Sequence, residues 1–303
     1  MRRIVSSQPP LYAGLDAVRP DNATLVVVGD TQRTSRLELW WRSNDAEQSA
    51  LLAEVARRTP AAVLNVGDLV TWGTSAAHWR RFDRAHAPIR AAGVPVLPVL
   101  GNHDYLPWPP RGLAPYRARF PVLAEARWFL LRHRGVAFVA LDSNLARLGR
   151  HLRAVQRAWL AETCATLAAD PEVRGVVGLW HHPPLTNSRV VRPAPRAARE
   201  LGDPIRATGK AVAIFTGHCH AYEHFLVNGL HHVVTGGGGG PLQPLWTDPR
   251  RRRYPDLFSW PGRHRFLHFC ALHIGDSAIE TEIIRLVERS APEVVDRFAI
   301  PLR

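Results

Sequence analysis

Short apolar runs recur along this chain, and each of them ends at a glycine or a polar residue. Three runs lie in the first third, at residues 24–29, 62–66 and 96–100, and segments with helical periodicity at 46–58 and 75–90 separate them. Runs of this length and composition are typical of strands that are buried on both faces of a parallel sheet. The alternation of strands with helices therefore predicts an α/β fold, in which helices form layers on a sheet.

The pattern changes in the second half of the chain. Strands are predicted at 136–141, 173–180 and 211–216, with a helix over 151–169. After Gly217 the predicted strands follow one another without helices, at 225–227, 231–235, 266–273 and 278–284. This order predicts an antiparallel-rich second half of the same domain, because no long linker and no internal repeat divides the chain.

We predict one domain over residues 23–288, with an irregular N-terminal arm at 1–22 and a C-terminal tail at 289–303. Residues 107–115 and 236–263 are predicted loops, because glycine and proline interrupt regular structure there. The glycine run at 236–240 is either a surface of backbone amides for a phosphate or a flexible hinge. Loops of this kind set specificity, and the sequence assigns no substrate-binding residue within them.

The chain carries a strong positive charge. It has 39 Lys and Arg against 26 Asp and Glu, a formal net charge of +13. This excess favours anionic partners, of which phosphate-bearing substrates and nucleic acids are the two candidates. The run of four arginines at 250–253 lies between Trp246 and Tyr254, and it suits phosphate or nucleic-acid contact or else forms a solvated loop.

The compartment is inferred from what the sequence lacks. The first ten residues contain no apolar stretch of the kind that a secretory signal needs, and no apolar run is long enough to span a membrane. The three cysteines, Cys164, Cys219 and Cys270, are widely spaced and odd in number. We therefore expect reduced cysteines in a cytoplasmic protein that does not contact a membrane.

Asp, Asn or His follows each of five predicted strands. The motifs are Gly29-Asp30-Thr31-Gln32, Gly67-Asp68, Gly101-Asn102-His103-Asp104, His181-His182-Pro183-Pro184 and Gly217-His218-Cys219-His220. Because ligands of open α/β sheets bind beyond the carboxyl ends of the strands, we expect these side chains to converge in one crevice. Carboxylate, amide and imidazole groups together bind borderline divalent cations such as Mn, Fe, Co, Ni or Zn.

Such a ligand set predicts a pair of metal ions. One aspartate with two oxygens can bridge two cations, and three imidazoles lie within the same motifs. Two ions can clamp the attacking and leaving oxygens of an in-line displacement and can lower the pKa of a shared water towards neutrality. The sequence therefore predicts hydrolysis of a phosphate ester by a hydroxide held between two metal ions.

The five motifs, in this order, resemble those of the calcineurin-like metallophosphoesterase superfamily, which includes purple acid phosphatases and class III cyclic-nucleotide phosphodiesterases. The resemblance covers roughly residues 24–236. It implies a four-layer α-β-β-α sandwich of two mixed β-sheets, with the metal site at the C-terminal ends of the strands. It also implies that the first metal is bound by Asp30, Gln32, Asp68 and His220, and the second by Asp68, Asn102, His181 and His218.

The resemblance implies a catalytic part for His103. This residue would face the substrate, where it would stabilise the phosphoryl charge or protonate the leaving oxygen. Asp104 would orient His103, by the general rule that a carboxylate fixes the tautomer of an imidazole. The family pattern His-x-Pro favours His181 as the ligand, with His182 as the second choice.

The motif Gly217-His-Cys-His-Ala-Tyr-Glu223 and the glycine run after Thr235 are similar to the purple acid phosphatase branch, and two departures set the chain apart from it. The first family motif is usually Asp-x-His, whereas this chain has Gln32, a neutral and weaker ligand. Purple acid phosphatases also have a tyrosine three residues after the Gly-Asp aspartate, where this chain has Thr71. The ferric–tyrosinate chromophore is therefore not expected.

Three kinds of function remain open at this point. The first is a metal-dependent phosphomonoesterase or phosphodiesterase. The second is a nuclease or a cyclic-nucleotide phosphodiesterase with the same chemistry, which the net charge favours. The third is a non-catalytic metal-binding scaffold protein, which only the weak ligand Gln32 favours. The oligomeric state is not indicated by the sequence.

Overall fold

The computed structural model describes residues 8–33, 43–107, 113–123, 126–286 and 291–303. Twelve strands within these residues form two six-stranded mixed sheets that pack face to face, and helices cover the outer faces. The predicted four-layer α-β-β-α sandwich is therefore confirmed. No helix in the described ranges is both long and apolar enough to cross a bilayer.

The strands are short, and five of the twelve are buried along their whole length. In chain order they are β1 (Thr24–Val28), β2 (Ala62–Asn65), β3 (Val96–Pro98), β4 (Phe129–His133), β5 (Val136–Ala140), β6 (Gly175–Trp180), β7 (Ala211–Thr216), β8 (Tyr222–Val227), β9 (Leu230–Thr235), β10 (His268–Ile274), β11 (Ala278–Arg285) and β12 (Glu293–Pro301). The strand order is β12-β11-β10-β1-β2-β3 in the first sheet and β4-β5-β6-β7-β9-β8 in the second.

Each sheet combines a parallel centre with antiparallel edges. In the first sheet β1, β2 and β3 are parallel, and β10 to β12 join β1 in antiparallel pairs. In the second sheet β5, β6, β7 and β9 are parallel, and β4 and β8 are antiparallel edge strands. The carboxyl ends of the parallel strands of each sheet therefore lie at one edge, where the polar motifs follow them.

Helices lie outside the sheets. They are α1 (Asp45–Arg58), α2 (Ala76–Ala85), α3 (Ala87–Ala91), α4 (Ala114–Arg117), α5 (Gly149–Ala169), α6 (Pro195–Ala197) and α7 (Asp203–Ala207), with a π-helical turn at Ala198–Gly202. Leu51 and Leu52 of α1 belong to the large core that both sheets share. Leu160 and Leu167 of α5 pack with Ile205 on the outer face of the second sheet.

The structure adds elements that the sequence patterns did not predict. Strand β4 and the helical segment from α6 to α7 were not expected. The predicted C-terminal tail contains β12, which pairs along its length with β11 and closes the edge of the first sheet. The predicted N-terminal arm has one 3-10 turn (Leu15–Ala17) in its described part, and Tyr12 packs against Phe82 and Phe120 there.

Candidate metal centre

Three residues of the polar motifs have an unusual backbone conformation. Asp30, Asp68 and His218 follow β1, β2 and β7, and their φ angles are 56°, 55° and 68°. Residues other than glycine rarely adopt this left-handed conformation, because the Cβ atom is crowded there. Such strain persists where the surrounding structure fixes it and is common at functional sites, so these turns mark the crevice as a candidate site.

Asp30, Gln32 and His220 form one group at this edge. The Nε2 atom of His220 lies 3.3 Å from Asp30 Oδ1. The amide nitrogen of Gln32 donates to the carbonyl oxygens of Asp30 and Asp68, at 3.2 and 2.9 Å, and its oxygen faces His220 Nε2 at 3.1 Å. The amide oxygen of Gln32 is therefore directed to the same point as the His220 imidazole.

A second group lies beside the first. His181 Nε2 is 3.1 Å from Asn102 Oδ1 and 3.2 Å from Asp68 Oδ2. The His181 and His218 rings are 5.0 Å apart. Ligand atoms of Asp30, Asp68 and His181 all lie within 4.8 Å of one another, so the two groups are continuous. The structure thus brings together all seven residues that the sequence assigned to metal binding.

The imidazoles are oriented by backbone carbonyls. His220 Nδ1 lies 2.8 Å from the Pro241 carbonyl oxygen, and His181 Nδ1 lies 2.9 Å from that of Val66. When Nδ1 carries the proton and donates it, Nε2 presents a lone pair to the neighbouring carboxylates. Metal-binding histidines use this arrangement, in which the second ring nitrogen is fixed by a hydrogen bond.

The ligand atoms of this site face one another in a way that suits a bound cation. Asp68 Oδ2 is buried, and among the described residues it has no hydrogen-bond partner unless the imidazole of His181, 3.2 Å away, is protonated. A buried carboxylate oxygen without a partner is costly, and two imidazole lone pairs directed at carboxylates are repulsive without a proton or a cation between them. The residues that are present therefore fit divalent metal ions.

Glycines allow these side chains to approach the backbone. A Cβ atom on Gly101 would collide with the Asp68 carboxylate, and one on Gly217 would collide with that of Asp30. The glycine run at 236–240 packs over the Asp30 turn, where the Gly240 amide donates to the Asp30 carbonyl oxygen at 2.9 Å. The run is buried, and the amides of Gly238 and Gly240 donate to backbone carbonyl oxygens, so these two amides are not available to a phosphate.

Electrostatics couples the two groups in the absence of metal. Burial raises the pKa of Asp68, but the charge and hydrogen bonding of His181 outweigh that effect and hold the pKa below its usual range. Burial lowers the pKa of His181, but the charge and hydrogen bonding of Asp68 outweigh burial, and the His181 pKa rises to about 9. Burial, reinforced by the charge of His181, lowers the pKa of His182 to about 3.

Metal binding should therefore release at least one proton at pH 7, because burial lowers the pKa of His220 but Asp30 outweighs burial, so the pKa of this second proposed ligand is raised as well. In the metal-free protein His181 is protonated below its pKa of about 9, and a metal ligand must lose that proton. The affinity for Mn²⁺ should then rise about tenfold for each pH unit up to that pKa. Without metal, the Asp68–His181 pair contributes stability that is complete below the ordinary histidine pKa and is lost as the pH rises through about 9.

Titration of MnCl₂ into metal-free protein in weak buffer, with a pH indicator, measures the released proton. His182→Asn is the matched control, because His182 is already neutral at pH 7 and its loss should leave proton release unchanged. An Mn²⁺ affinity that does not vary between about pH 6 and pH 8 would contradict the expectation.

Asp104 holds the backbone of the centre in place. It is fully buried, and burial raises its pKa, with the charge of Asp68 adding to the effect. Its carboxylate accepts hydrogen bonds of 2.9 to 3.3 Å from four backbone amides, those of Asp68, Leu69, Val70 and Gly101. Asp104 therefore ties the turn after β2 to the turn after β3.

His103 is oriented by a different residue from the one predicted. Its Nδ1 lies 3.0 Å from the Thr71 carbonyl oxygen, and its backbone amide donates to Asp68 Oδ1 at 2.8 Å. The prediction that Asp104 orients the His103 ring is corrected accordingly, since the Asp104 oxygens are directed to backbone amides. Thr71 lies where purple acid phosphatases have a tyrosine, and here its carbonyl oxygen contacts the histidine.

Other residues of the motifs have varied surroundings. His182, the second choice for a ligand, lies with His181 and His218 in a group whose nitrogens are within 4.8 Å, and its Nδ1 is 2.8 Å from Ser143 Oγ. Tyr105 is fully buried with its hydroxyl on Asp142, so it does not line a pocket. Trp72 is 40% exposed, and Trp108 lies outside the described residues.

Known structures share this fold. A purple acid phosphatase from yellow lupin (Lupinus luteus) seeds matches 93% of this chain and 54% of its own, with a TM-score of 0.70 and 20% identity. GAP50, described as the anchor in the inner membrane complex of Plasmodium, matches 93% of this chain and 89% of its own, with a TM-score of 0.69 and 12% identity. A dimetal phosphatase from Danio rerio matches 93% of this chain and 100% of its own, with a TM-score of 0.60 and 14% identity.

Sequence comparison gives the family. A cAMP/cGMP dual specificity phosphodiesterase from Mycobacterium tuberculosis is 31% identical over 180 residues, which cover 53% of this chain and 49% of that protein. The chain thus spans about half the length of this relative and of the lupin enzyme. Residues 23–222 match the sequence profile described as calcineurin-like phosphoesterase. Since that match covers more than half of the 303 residues, the chain belongs to the calcineurin-like phosphoesterase family.

Proposed function

We propose that the protein is a metal-dependent phosphoesterase, which hydrolyses a phosphate mono- or diester at the crevice beside Asp68. The observation that carries the proposal is the meeting of Asp30, Asp68 and His181, whose ligand atoms lie within 4.8 Å on three separate strand ends. Strained backbone at two of these residues, and a buried Asp68 oxygen that only a protonated His181 could satisfy among the described residues, support a binding role over a structural one.

The ligands divide between two cations in this proposal. Asp68 is shared, the first cation is held by Asp30, Gln32 and His220, and the second by Asn102, His181 and His218. Two divalent ions bound there supply Lewis-acid activation of water and of the phosphoryl group. His103 lies outside the ligand set, held by the Thr71 carbonyl oxygen and the Asp68 carboxylate, and it assists departure of the leaving group.

Hydrolysis of p-nitrophenyl phosphate and of bis(p-nitrophenyl) phosphate, each with Mn²⁺, tests the proposal. Turnover should require added metal and should disappear after dialysis against a chelator. Protein that is shown to hold two ions and yet cleaves neither ester would refute the enzymatic function. The relative rates of the two esters decide between a monoesterase and a diesterase.

Gln32→Ala should selectively lower the affinity for the first cation, by about 10–100-fold, because it removes one of the oxygens that face this position. Gln32→Glu is the matched control, since it retains an oxygen beside His220 and adds charge. Metal content after dialysis should fall from two ions towards one in Gln32→Ala and should stay near two in Gln32→Glu. If both variants retain two ions equally, Gln32 is not a ligand.

Cyclic-nucleotide hydrolysis is the second candidate. It is favoured by the relative named as a cAMP/cGMP dual specificity phosphodiesterase, with 31% identity over 180 residues. Release of AMP or GMP from the cyclic nucleotides, measured by chromatography, tests it directly. Activity on bis(p-nitrophenyl) phosphate without any cleavage of cAMP or cGMP would exclude it.

The remaining alternatives have less support. A nuclease is favoured by the net charge of +13, and its DNA or RNA affinity would fall steeply with salt, since phosphate contacts release counterions. A non-catalytic scaffold is favoured by Gln32, and GAP50 is a protein of this fold described as an anchor. The cytoplasmic location belongs to the proposal as well, supported by three buried free cysteines.

A further inference from the structure

Two loops that begin near the metal centre are joined to each other by backbone hydrogen bonds. Residues 182–194 follow β6, and residues 236–267 follow β9. The amide of Arg189 donates to the Pro244 carbonyl oxygen at 2.9 Å, and the amide of Trp246 donates to that of Asn187 at 2.9 Å. The two loops therefore form a single surface, which we call the paired-loop surface.

The paired-loop surface is also hydrogen-bonded to a residue of the metal centre. The amide of Gln243 donates to the His220 carbonyl oxygen at 3.1 Å, and its side chain accepts from Ser188 Oγ at 3.2 Å. Trp246 is three residues beyond Gln243, so their Cα atoms are at most about 11 Å apart. Trp246 therefore lies on a loop that borders the metal centre, three residues from a backbone contact with the proposed ligand His220.

Two arginines stack on Trp246. The guanidinium carbons of Arg189 and Arg251 lie 4.5 and 4.2 Å from the centre of the indole ring. Both arginines are exposed, and within the described ranges neither has a carboxylate within 4.0 Å. Stacking fixes a guanidinium while leaving its N–H edge available to a bidentate oxyanion.

The surrounding charges reinforce this arrangement. Arg263 and Arg189 both help to lower the pKa of His264, after burial, which shows that the two cations lie near one imidazole. The carboxylate of Asp248 accepts the backbone amide of Arg250 at 2.9 Å. Asp256 is paired with Arg265 at 2.7 Å. The arginines on Trp246 therefore lie in a region of excess positive charge.

The arginines of the 250–253 run make different contacts. Arg253 is structural, because its backbone amide donates to Asn187 Oδ1 at 2.8 Å and its guanidinium donates to the Ser188 carbonyl oxygen at 2.7 Å. Arg251 makes the stack on Trp246. The run is therefore neither a uniform binding patch nor a merely solvated loop.

We propose that Arg189 and Arg251, held against Trp246, bind a phosphate group of the substrate other than the one that is cleaved. This inference rests on the proposed phosphoesterase function and narrows its substrate to a phosphoester that carries a further phosphate. Guanidinium groups bind phosphate bidentately, and two guanidiniums that stack on one indole ring can both contact a dianion at the edge of that ring. Nucleotides and sugar bisphosphates share this chemistry.

A matched pair of chromogenic substrates tests the proposal. Thymidine 5′-(p-nitrophenyl phosphate) and its 3′-phosphorylated form release the same nitrophenol and differ only in the second phosphate. The Mn²⁺-loaded wild type should prefer the 3′-phosphorylated form in kcat/KM. Arg189→Ala/Arg251→Ala should reduce that preference by about 10–100-fold, the loss expected for two charged hydrogen-bonding contacts, and should leave bis(p-nitrophenyl) phosphate hydrolysis unchanged.

Arg84→Ala/Arg157→Ala is the control, because it removes the same charge from two exposed positions on α2 and α5. An equal effect of this control would mean that net charge alone acts, and the proposal would fail. Calorimetric binding of thymidine 3′,5′-bisphosphate and of fructose 1,6-bisphosphate to Mn²⁺-loaded protein distinguishes the two sources of the second phosphate.

The binding measurement also separates this proposal from the proposed function. If neither nitrophenyl ester is cleaved, the phosphoesterase function fails, whereas weaker bisphosphate binding by Arg189→Ala/Arg251→Ala still supports the anion site. If wild type and that variant bind both bisphosphates equally well, the anion site is refuted whatever the activity.

Discussion

Asp68→Asn should lower phosphoesterase activity by at least about 10³-fold and should remove bound metal. Loss of a group that merely supports a ligand typically costs 10–100-fold in affinity or activity, and Asp68 faces both proposed ion positions. Its Oδ2 is buried 3.2 Å from His181 Nε2, which must lose its proton when a metal ion binds. Asparagine puts a neutral amide there, so the charge that holds the two cations together is lost.

Asparagine is the suitable replacement because the backbone at this position is strained. Asp68 has a φ of 55°, and asparagine adopts this left-handed conformation more readily than other residues do, apart from glycine. The side-chain oxygen of the introduced asparagine can still accept the amide of His103, which donates to Asp68 Oδ1 at 2.8 Å in the wild type. The fold of the metal-free protein should therefore persist.

Metal content by mass spectrometry, turnover of p-nitrophenyl phosphate, and the melting temperature in chelator are the three measurements. In chelator at pH 7, Asp68→Asn should melt below the wild type, because the Asp68–His181 pair is lost, and the two melting temperatures should converge as the pH rises through about 9. Metal content and turnover should both collapse. A variant that retains two ions and loses less than about tenfold in rate would show that Asp68 does not join the ions.

The parallel strands were predictable because burial on both faces leaves a strong signal. Strands β1, β2, β5 and β7 consist almost wholly of apolar residues and coincide closely with the predicted runs. A run of that kind followed by glycine and a polar residue has few structural alternatives in an α/β domain. The strand-end rule then gave the convergence of the five motifs, and the family resemblance selected the seven proposed ligands from them.

Edge elements were not predictable in the same way. In β12 only Ile300 is fully buried, and charged residues such as Asp296 and Arg297 interrupt its pattern. An edge strand needs few apolar residues, because its stability comes from pairing with a neighbour, here β11. The helical segment after residue 194 likewise shows no regular helical period, because the π-helical turn at Ala198–Gly202 interrupts it.

The contacts that orient the side chains of the site could not be predicted from the sequence, for a different reason. His181 and His220 are fixed by the carbonyl oxygens of Val66 and Pro241, and His103 by that of Thr71. Every residue has a carbonyl oxygen, so no residue type marks these positions in the sequence. The same holds for the backbone amides of Asp68 and Gly101, which donate to the Asp104 carboxylate. Because the carboxylate accepts these bonds, it does not orient the neighbouring His103.

His103→Ala should lower kcat by about 10²–10⁴-fold, the usual contribution of general acid–base catalysis, while two metal ions stay bound. His103 contacts the centre through its backbone amide, which donates to Asp68 Oδ1 at 2.8 Å and survives the substitution. Its Nδ1 is held by the Thr71 carbonyl oxygen at 3.0 Å, which leaves Nε2 for the substrate. An unchanged kcat at full metal occupancy would refute a catalytic part for His103 and would favour the scaffold alternative.

The choice of leaving group then separates the two roles of His103. If its imidazole protonates the leaving oxygen, His103→Ala should impair alkyl and phenyl phosphates far more than p-nitrophenyl phosphate, because nitrophenolate departs without a proton. If the imidazole instead stabilises charge on the phosphoryl oxygens, all three esters should slow equally, and His103→Gln, which keeps an N–H donor, should recover part of the rate. Equal slowing without recovery in His103→Gln would indicate that a cationic imidazole, rather than a hydrogen bond, is what the phosphoryl group requires.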